Sequence, residues 1–378
     1  MLLIRTDANG QVGLGHLMRC LTIAEAAGRA GISTVFLTAD KGAEELLQER
    51  GQRYCILHTN FKEMEKELPV LLGTVGELLA EDGIGAAGKK MSEGRTLPII
   101  EKMPENRGIS GEKHGLEKHL FLVDSYQITV PYMTELKKRL KSFGAIELGL
   151  LEDYGNTSYP ADVVINYNIY GTGFSYKVNA EKALLGCSYM PLRREFAMQP
   201  YEIREEVKNI LITTGGSDTY RIAEDLVKRL QKIPEILLHV VCGKFSESRN
   251  VLLAMAEENE NLKVYSDVKH IWELMADCDT AISAAGTTLY ELCAIGVPTV
   301  CFSFAENQIL PGKTFGEKTE MTYAGDYNEN KEAMYENIEK RLEALMRMPE
   351  EERQQISENL RSVTDGKGAD RLIAEILR

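Results

Sequence analysis

Short apolar runs of four to six residues alternate with longer stretches in which apolar positions recur every three or four residues. The first run, residues 1–5, suits a buried strand and is far too short to span a membrane. Residues 6–15 follow with three glycines plus Asp7 and Asn9, the composition of a tight loop. From His16 onward, Leu17, Leu21 and Ala24 recur at helical spacing. The pattern predicts a strand, a glycine loop and a helix with an imidazole at its mouth, where unpaired N–H groups and partial positive charge favour anions.

The same alternation predicts a helix over 17–30, a strand over 33–37, a helix near 44–50 and a strand over 53–57. Mostly helical residues over 61–79 are expected to break near Pro69. Residues 83–118, rich in Gly, Lys and Glu and poor in aromatics, break the pattern. They read as a lid or, the reading preferred here, a flexible insertion. A strand over 119–123 runs into Asp124, Ser125 and Tyr126. A helix over 131–143 and strands over 148–151 and 163–165 follow, the last ending at Asn166, Tyr167 and Asn168. Loops are expected from there to Arg193 and Arg194.

The pattern restarts beyond Pro200. Strands are expected over 209–213, 237–242, 262–265, 280–283 and 298–302, and helices over 221–231, 246–259, 268–276 and 289–294. Polar helices over 349–377 are interrupted at 365–368. Alternating strands and helices in two similar halves predict an α/β fold: two doubly wound, Rossmann-like domains, 1–199 and 200–378, whose parallel sheets face a shared cleft.

Composition narrows the partners. Asp and Glu number 57 against 44 Lys and Arg, a net charge of −13, which argues against a nucleic-acid partner or a broad anionic membrane face. The N-terminus lacks the basic and apolar regions of a signal peptide, and no apolar run suits stable membrane insertion. Seven scattered cysteines form no C-x-x-C pair and read as reduced thiols in a cytoplasmic protein. No His spacing suggests a metal ligand set, and no metal or cofactor is expected.

Glycine-bearing turns recur at equivalent strand ends: Gly13 and Gly15; Gly215, Gly216 and Ser217; Gly286, Thr287 and Thr288. One such turn alone would mean no more than a tight connection, but three together point to ligand binding, with helix starts donating to phosphate. None completes a P-loop or a dinucleotide fingerprint. Two readings fit Glu291: a carboxylate accepting ribose hydroxyls, or an acidic residue favoured at any helix start. His16 is the candidate general base, since positive charge is disfavoured at a helix start and the neutral ring is expected there. Asp7, Asp124, Tyr126 and Asn168 also fall at strand ends, where such sheets carry sites, although Asp7 could equally bond its own backbone.

Taken together, these segments resemble a known family. The run from Arg5-Thr6-Asp7-Ala8-Asn9 through Gly13-Leu14-Gly15-His16-Leu17-Met18-Arg19-Cys20 is similar to the N-terminal signature of UDP-2,4-diacetamido-2,4,6-trideoxy-β-L-altropyranose hydrolases of pseudaminic acid biosynthesis. These are relatives of MurG-type glycosyltransferases. The resemblance continues through Val123–Tyr126, Leu192–Phe196, Gly215–Asp218, the stretch from Ser283 to Cys293, and Asn307-Gln308. It implies a GT-B architecture with a UDP-sugar as partner and metal-independent hydrolysis at the anomeric carbon, releasing UDP. It also implies His16 as base toward water, catalytic parts for Asp124 and Tyr126, and substrate contacts from Arg193, Glu291, Asn307 and Gln308. Ser125 stands where many relatives carry histidine, and Pro311 and Gly312 fall where relatives continue a helix. The alternatives are a GT-B glycosyltransferase of spore-coat or surface polysaccharide assembly, which product analysis separates, and a non-catalytic nucleotide-sugar binding module.

Overall fold

The computed structural model describes residues 1–81, 119–155, 158–176, 180–216, 218–243, 246–266 and 268–376. The expected insertion at 83–118 and the candidate Ser217 lie outside the described residues. The chain divides into two compact units. The first comprises Met1–Tyr167, Gly171–Pro191 and the segment from Ala369 on; the second comprises Asn168–Tyr170 and Leu192–Gly368. This division falls at Pro191, short of the expected break near Pro200, and counts the C-terminal helix with the first unit.

In the first unit, β1 (Leu2–Thr6), β2 (Thr34–Thr38), β3 (Arg53–Ile56), β4 (His119–Asp124), β5 (Ile146–Leu151), β6 (Val163–Asn166) and β7 (Lys182–Leu185) form one sheet. Its order is β3-β2-β1-β4-β5-β6-β7 and every pairing is parallel. Strands covered on both faces need unbroken apolar sequence, which is why Leu2–Ile4 and Leu120–Val123 are all buried. One face packs Leu3, Leu37, Phe121, Val123 and Leu150 against Leu71, Val75 and Leu78 of the helix Met64–Glu81, with Tyr132 and Leu136 beside them.

The second unit repeats the plan. Strands β8 (Asn209–Thr213), β9 (Leu237–Cys242), β10 (Leu262–Ser266), β11 (Thr280–Ala284), β12 (Thr299–Ser303) and β13 (Thr322–Asp326) follow the order β10-β9-β8-β11-β12-β13, all parallel. Both sheets therefore reverse direction of growth at one seam, between β1 and β4 in one and between β8 and β11 in the other. Crevices at the carboxyl ends of such seams are where doubly wound sheets bind ligands. The expected α/β fold of two Rossmann-like units is the observed one.

Three elements depart from expectation. The helix Met64–Glu81 runs through Pro69 without a break, because the lost backbone bond is outweighed by burying Leu68, Leu71, Leu72 and Val75 along one face. Strand β7 lies in sequence expected to be loop; it is a four-residue edge strand with little alternation. The helix Glu306–Lys318 continues through Pro311 and Gly312. Gly312 is needed there, since a Cβ would stand 2.6 Å from the Tyr323 ring of β13.

Candidate functional site

The loop after β1 is shaped by its own side chains. Asn9 Oδ1 accepts from the N–H groups of Gln11 at 3.0 Å and Val12 at 3.1 Å, and the Asn9 carbonyl accepts from Gly13, whose φ of +76° suits glycine. The helix Gly15–Arg29 then begins with no side chain capping its first turn. His16 is its second residue.

Asp7, at the end of β1, is committed elsewhere. Its carboxylate accepts from Arg5 at 2.6 Å and from the Ala39 N–H at 2.7 Å, tying β1 to the end of β2. Arg5 is fully buried and also donates two 2.8 Å bonds to Glu67, which Tyr132 and Thr59 complete. Burial raises the Asp7 carboxyl above its usual range, against the opposing pull of Arg5. Asp7 therefore serves the fold.

Register brings the other strand-end residues together. Thr6 of β1 pairs with Asp124 of β4, so Asp124 stands at the seam beside the helix carrying His16. His16 Nδ1 lies 2.5 Å from Asp124 Oδ1. Arg19, one turn along, holds the same carboxylate in a fork, Nε to Oδ2 at 2.6 Å and Nη2 to Oδ1 at 2.5 Å. Its third nitrogen, Nη1, reaches Asp153 at 3.0 and 3.1 Å and the Tyr167 hydroxyl at 2.5 Å. Tyr126 donates its hydroxyl to Asp153 at 2.7 Å and sets its ring edge against His16, with centroids 4.4 Å apart. Cys20 donates to Asp124 Oδ2 at 3.4 Å.

Burial would lift the Asp124 carboxyl, but Arg19 and His16 hold it well below the usual carboxylate range. An ionised Asp124 cannot share a 2.5 Å contact with an imidazole lone pair, so the proton sits on Nδ1. That leaves Nε2 as the lone-pair nitrogen of the neutral ring, and no side chain among the described residues occupies it. The ring is only 6% exposed, set within a polar cluster rather than on an open rim. What the site fixes is the tautomer. Burial and Asp153 push the Tyr126 phenol far up, so it stays a donor.

In the second unit the seam carries the other glycine turns. Gly215 has a φ of +82°, and Gly243 backs onto the turn so closely that a Cβ there would meet the carbonyl oxygens of Gly215 and Gly216 at 2.4 Å. Asp218 is buried and caps the helix Ile222–Leu230, accepting from Ile222 at 2.8 Å and Ala223 at 3.1 Å, with Ser248 donating to it at 2.7 Å. After β11, Gly286 leads into the helix Thr288–Ile295, whose N-cap Thr287 makes no side-chain cap. Glu291 lies in the first turn of that helix. Burial raises its carboxyl, and Arg193 at 3.9 Å and a Thr288 hydrogen bond only partly offset this. Arg193 in turn lies over the rings of Phe196 at 4.9 Å and Trp272 at 5.0 Å.

The structure thus brings together His16, Asp124 and Tyr126 in one unit, and Arg193 and Glu291 in the other. Asn168 accepts weakly from Tyr290 at 3.4 Å. Asn307 is exposed, while Gln308 accepts from the Phe304 N–H at 3.0 Å and steadies the turn after β12. Arg19, Asp153 and Tyr167 were not singled out from sequence. The i, i+3 spacing of His16 and Arg19 was a usable signal, since it puts both on one helix face. Among the described residues no three His, Cys, Asp or Glu side chains group as a metal site, and no helix is long and apolar enough to cross a membrane.

Comparison with known proteins places this geometry in a fold. The structure of MurG from Acinetobacter baumannii aligns over 99% of this chain and 98% of its own with a TM-score of 0.62 at 13% identity, so the likeness is one of GT-B fold alone. Residues 209–371, the second unit's sheet and its helices, match the glycosyltransferase family 28 C-terminal domain.

Among characterised sequences, the chain is 29% identical over 192 residues to the spore coat polysaccharide biosynthesis protein SpsG of Bacillus subtilis, covering 49% of this chain and 56% of that protein. It is 26% identical over 277 residues to the Helicobacter pylori protein named pseudaminic acid cytidylyltransferase and UDP-2,4-diacetamido-2,4,6-trideoxy-β-L-altropyranose hydrolase, covering 70% of this chain and 50% of that one. The chain spans about half the length of the curated relatives it matches.

Proposed function

We propose that this protein hydrolyses a UDP-linked 2,4-diacetamido-2,4,6-trideoxy sugar at its anomeric carbon, releasing UDP and the free sugar without a required metal. The observation that carries the reading is the His16–Asp124 pair at the β1/β4 seam: a carboxylate on Nδ1 presents Nε2 as a base. In the reaction, a water oxygen bonds to the anomeric carbon as Nε2 takes its proton, and the bond from that carbon to the diphosphate oxygen breaks. UDP departs with the electron pair, and the proton later passes to solvent. The turns at Gly215–Gly216 and Gly286–Thr288 suit the diphosphate, and Glu291 suits the ribose hydroxyls. A hydrolase of this substrate in the Helicobacter pylori relative's name supports the choice.

The test is NMR of the purified protein with the UDP-altropyranose substrate and EDTA, without an added acceptor. UDP and free sugar are expected, and His16→Asn should slow their release at least about a hundredfold. No UDP release, or an unchanged His16→Asn rate, overturns the reading. The second reading, a glycosyltransferase acting in polysaccharide assembly, draws on the spore coat relative and the family 28 match. Turnover that appears only with a sugar or lipid acceptor would favour it.

A further inference from the structure

Arg193 carries donors that nothing in the chain accepts. The nearest Glu291 oxygen stands 3.9 Å from its Nη2, too far for a hydrogen bond, and no other described residue accepts from its guanidinium. Yet the side chain is only 15% exposed. Buried arginines elsewhere in the fold are completed by carboxylates, Arg5 by Glu67 at 2.8 Å and Arg19 by Asp124 at 2.6 Å. Glu291 is a poor substitute, because burial already disfavours its charged form. A cation so withdrawn from water and so little hydrogen-bonded calls for an outside acceptor.

What holds Arg193 is aromatic. It precedes the single helical turn Arg194–Ala197, and its carbonyl accepts from the Phe196 N–H at 3.2 Å, so the turn brings the Phe196 ring up to the guanidinium. Trp272, second residue of the helix Ile271–Ala276, supplies the other ring, set edge-to-face with Phe196 at 5.9 Å and stacked on His270 at 5.1 Å. Rings attract a guanidinium through their faces and take none of its N–H groups. The outcome is a fixed cation whose in-plane donor fork is unspent, the form that suits a phosphate. It stands beside the first turn of the helix Thr288–Ile295, whose start no side chain caps and which favours an anion. We propose that Phe196 and Trp272 are positioning residues for Arg193, gripping its guanidinium by the face so that its donor edge meets a phosphate of the bound nucleoside diphosphate.

The inference rests on the UDP reading of the second unit and holds whether hydrolysis or transfer follows. Titration calorimetry of the full chain with UDP in EDTA, and with uridine as control, tests it. Arg193→Lys keeps the charge and loses the fork, and Trp272→Leu removes a ring; each should weaken UDP binding about tenfold. The double variant should be no more than about threefold weaker than either single, because both act through one group. Trp272→Phe, which keeps a ring, should stay within about threefold of wild type. Uridine, which has no phosphate, should bind Arg193→Lys as it binds wild type. Losses that multiply to about a hundredfold, a Trp272→Leu that lowers the urea midpoint without weakening UDP, or an equal loss with uridine each overturn the proposal. Wild-type protein that binds no UDP overturns the parent reading instead. Should Trp272→Leu fail to fold, the emission of Trp272, the chain's single tryptophan, provides the second measurement. It should change when UDP is added to wild type and by no more than about half as much in Arg193→Lys; equal changes overturn the proposal.

Discussion

His16 Nδ1 and Asp124 Oδ1 lie 2.5 Å apart although 108 positions separate them in the chain, because β1 and β4 are neighbours and Asp124 ends the second of them. Replacing the carboxylate with an amide of the same shape removes the acceptor that fixes the tautomer. Asp124→Asn should therefore lower kcat for UDP release by about a thousandfold. Circular dichroism should remain that of the wild type. Measured steady-state rates within tenfold of wild type would contradict the pairing's importance.

Glu291 has the opposite balance. Its carboxyl is raised because burial outweighs Arg193, so its charged form is disfavoured in the native state. Stability contributed below the ordinary carboxylate range near ~4.3 is lost as pH climbs through the raised value. Glu291→Gln should consequently raise the urea midpoint at pH 7 and leave it unchanged near pH 4. Under the ribose reading the same variant binds UDP roughly tenfold more weakly or worse, a loss that calorimetry would report.

Two glycines of the second unit separate fold from ligand. At Gly243 a methyl group would strike the carbonyls of Gly215 and Gly216, so Gly243→Ala should cost about 1–3 kcal/mol in urea unfolding. Gly286 has no heavy atom within 4 Å of a built Cβ, and its φ is not positive. Gly286→Ala should leave stability intact. A phosphate held close to that backbone would still be displaced, with UDP affinity falling about tenfold.

Under β1, Glu67 neutralises Arg5 through two 2.8 Å bonds in a fully buried setting. Glu67→Ala leaves the guanidinium facing only Asp7 and should cost about 3–5 kcal/mol. Joint replacement of Arg5 and Glu67 by Met and Leu strands the buried Asp7 carboxylate in turn and should not recover that loss, as read from chemical unfolding.

Much of the plan was readable in the residues. Strands buried on both faces must be continuous apolar runs, so β1, β4, β8 and β11 and the turns behind them stood out, His16 and Gly286 among them. Asp7 shows the limit: a strand-end aspartate looks the same whether it meets a ligand or a buried arginine, and only the chain's path past Ala39 and Arg5 decides. Arg19 and Asp153 were hidden for a related reason. Their partnership depends on β1, β4 and β5 lying side by side, a fact of topology rather than of local pattern. Pro69 reads as a break, but tertiary packing overrides the local signal there.

The helix Gly368–Ile376 belongs with the first unit although nearly two hundred residues of the second come before it. Asp370 meets Arg29 at 2.8 Å, Glu375 meets Lys182 at 2.6 Å, and Arg371 reaches the Ser188 carbonyl at 3.1 Å. During synthesis these three contacts cannot form until the ribosome has delivered the polypeptide up to that helix. A nick or stop codon far downstream of His16 would thus remove contacts made to the unit that carries it.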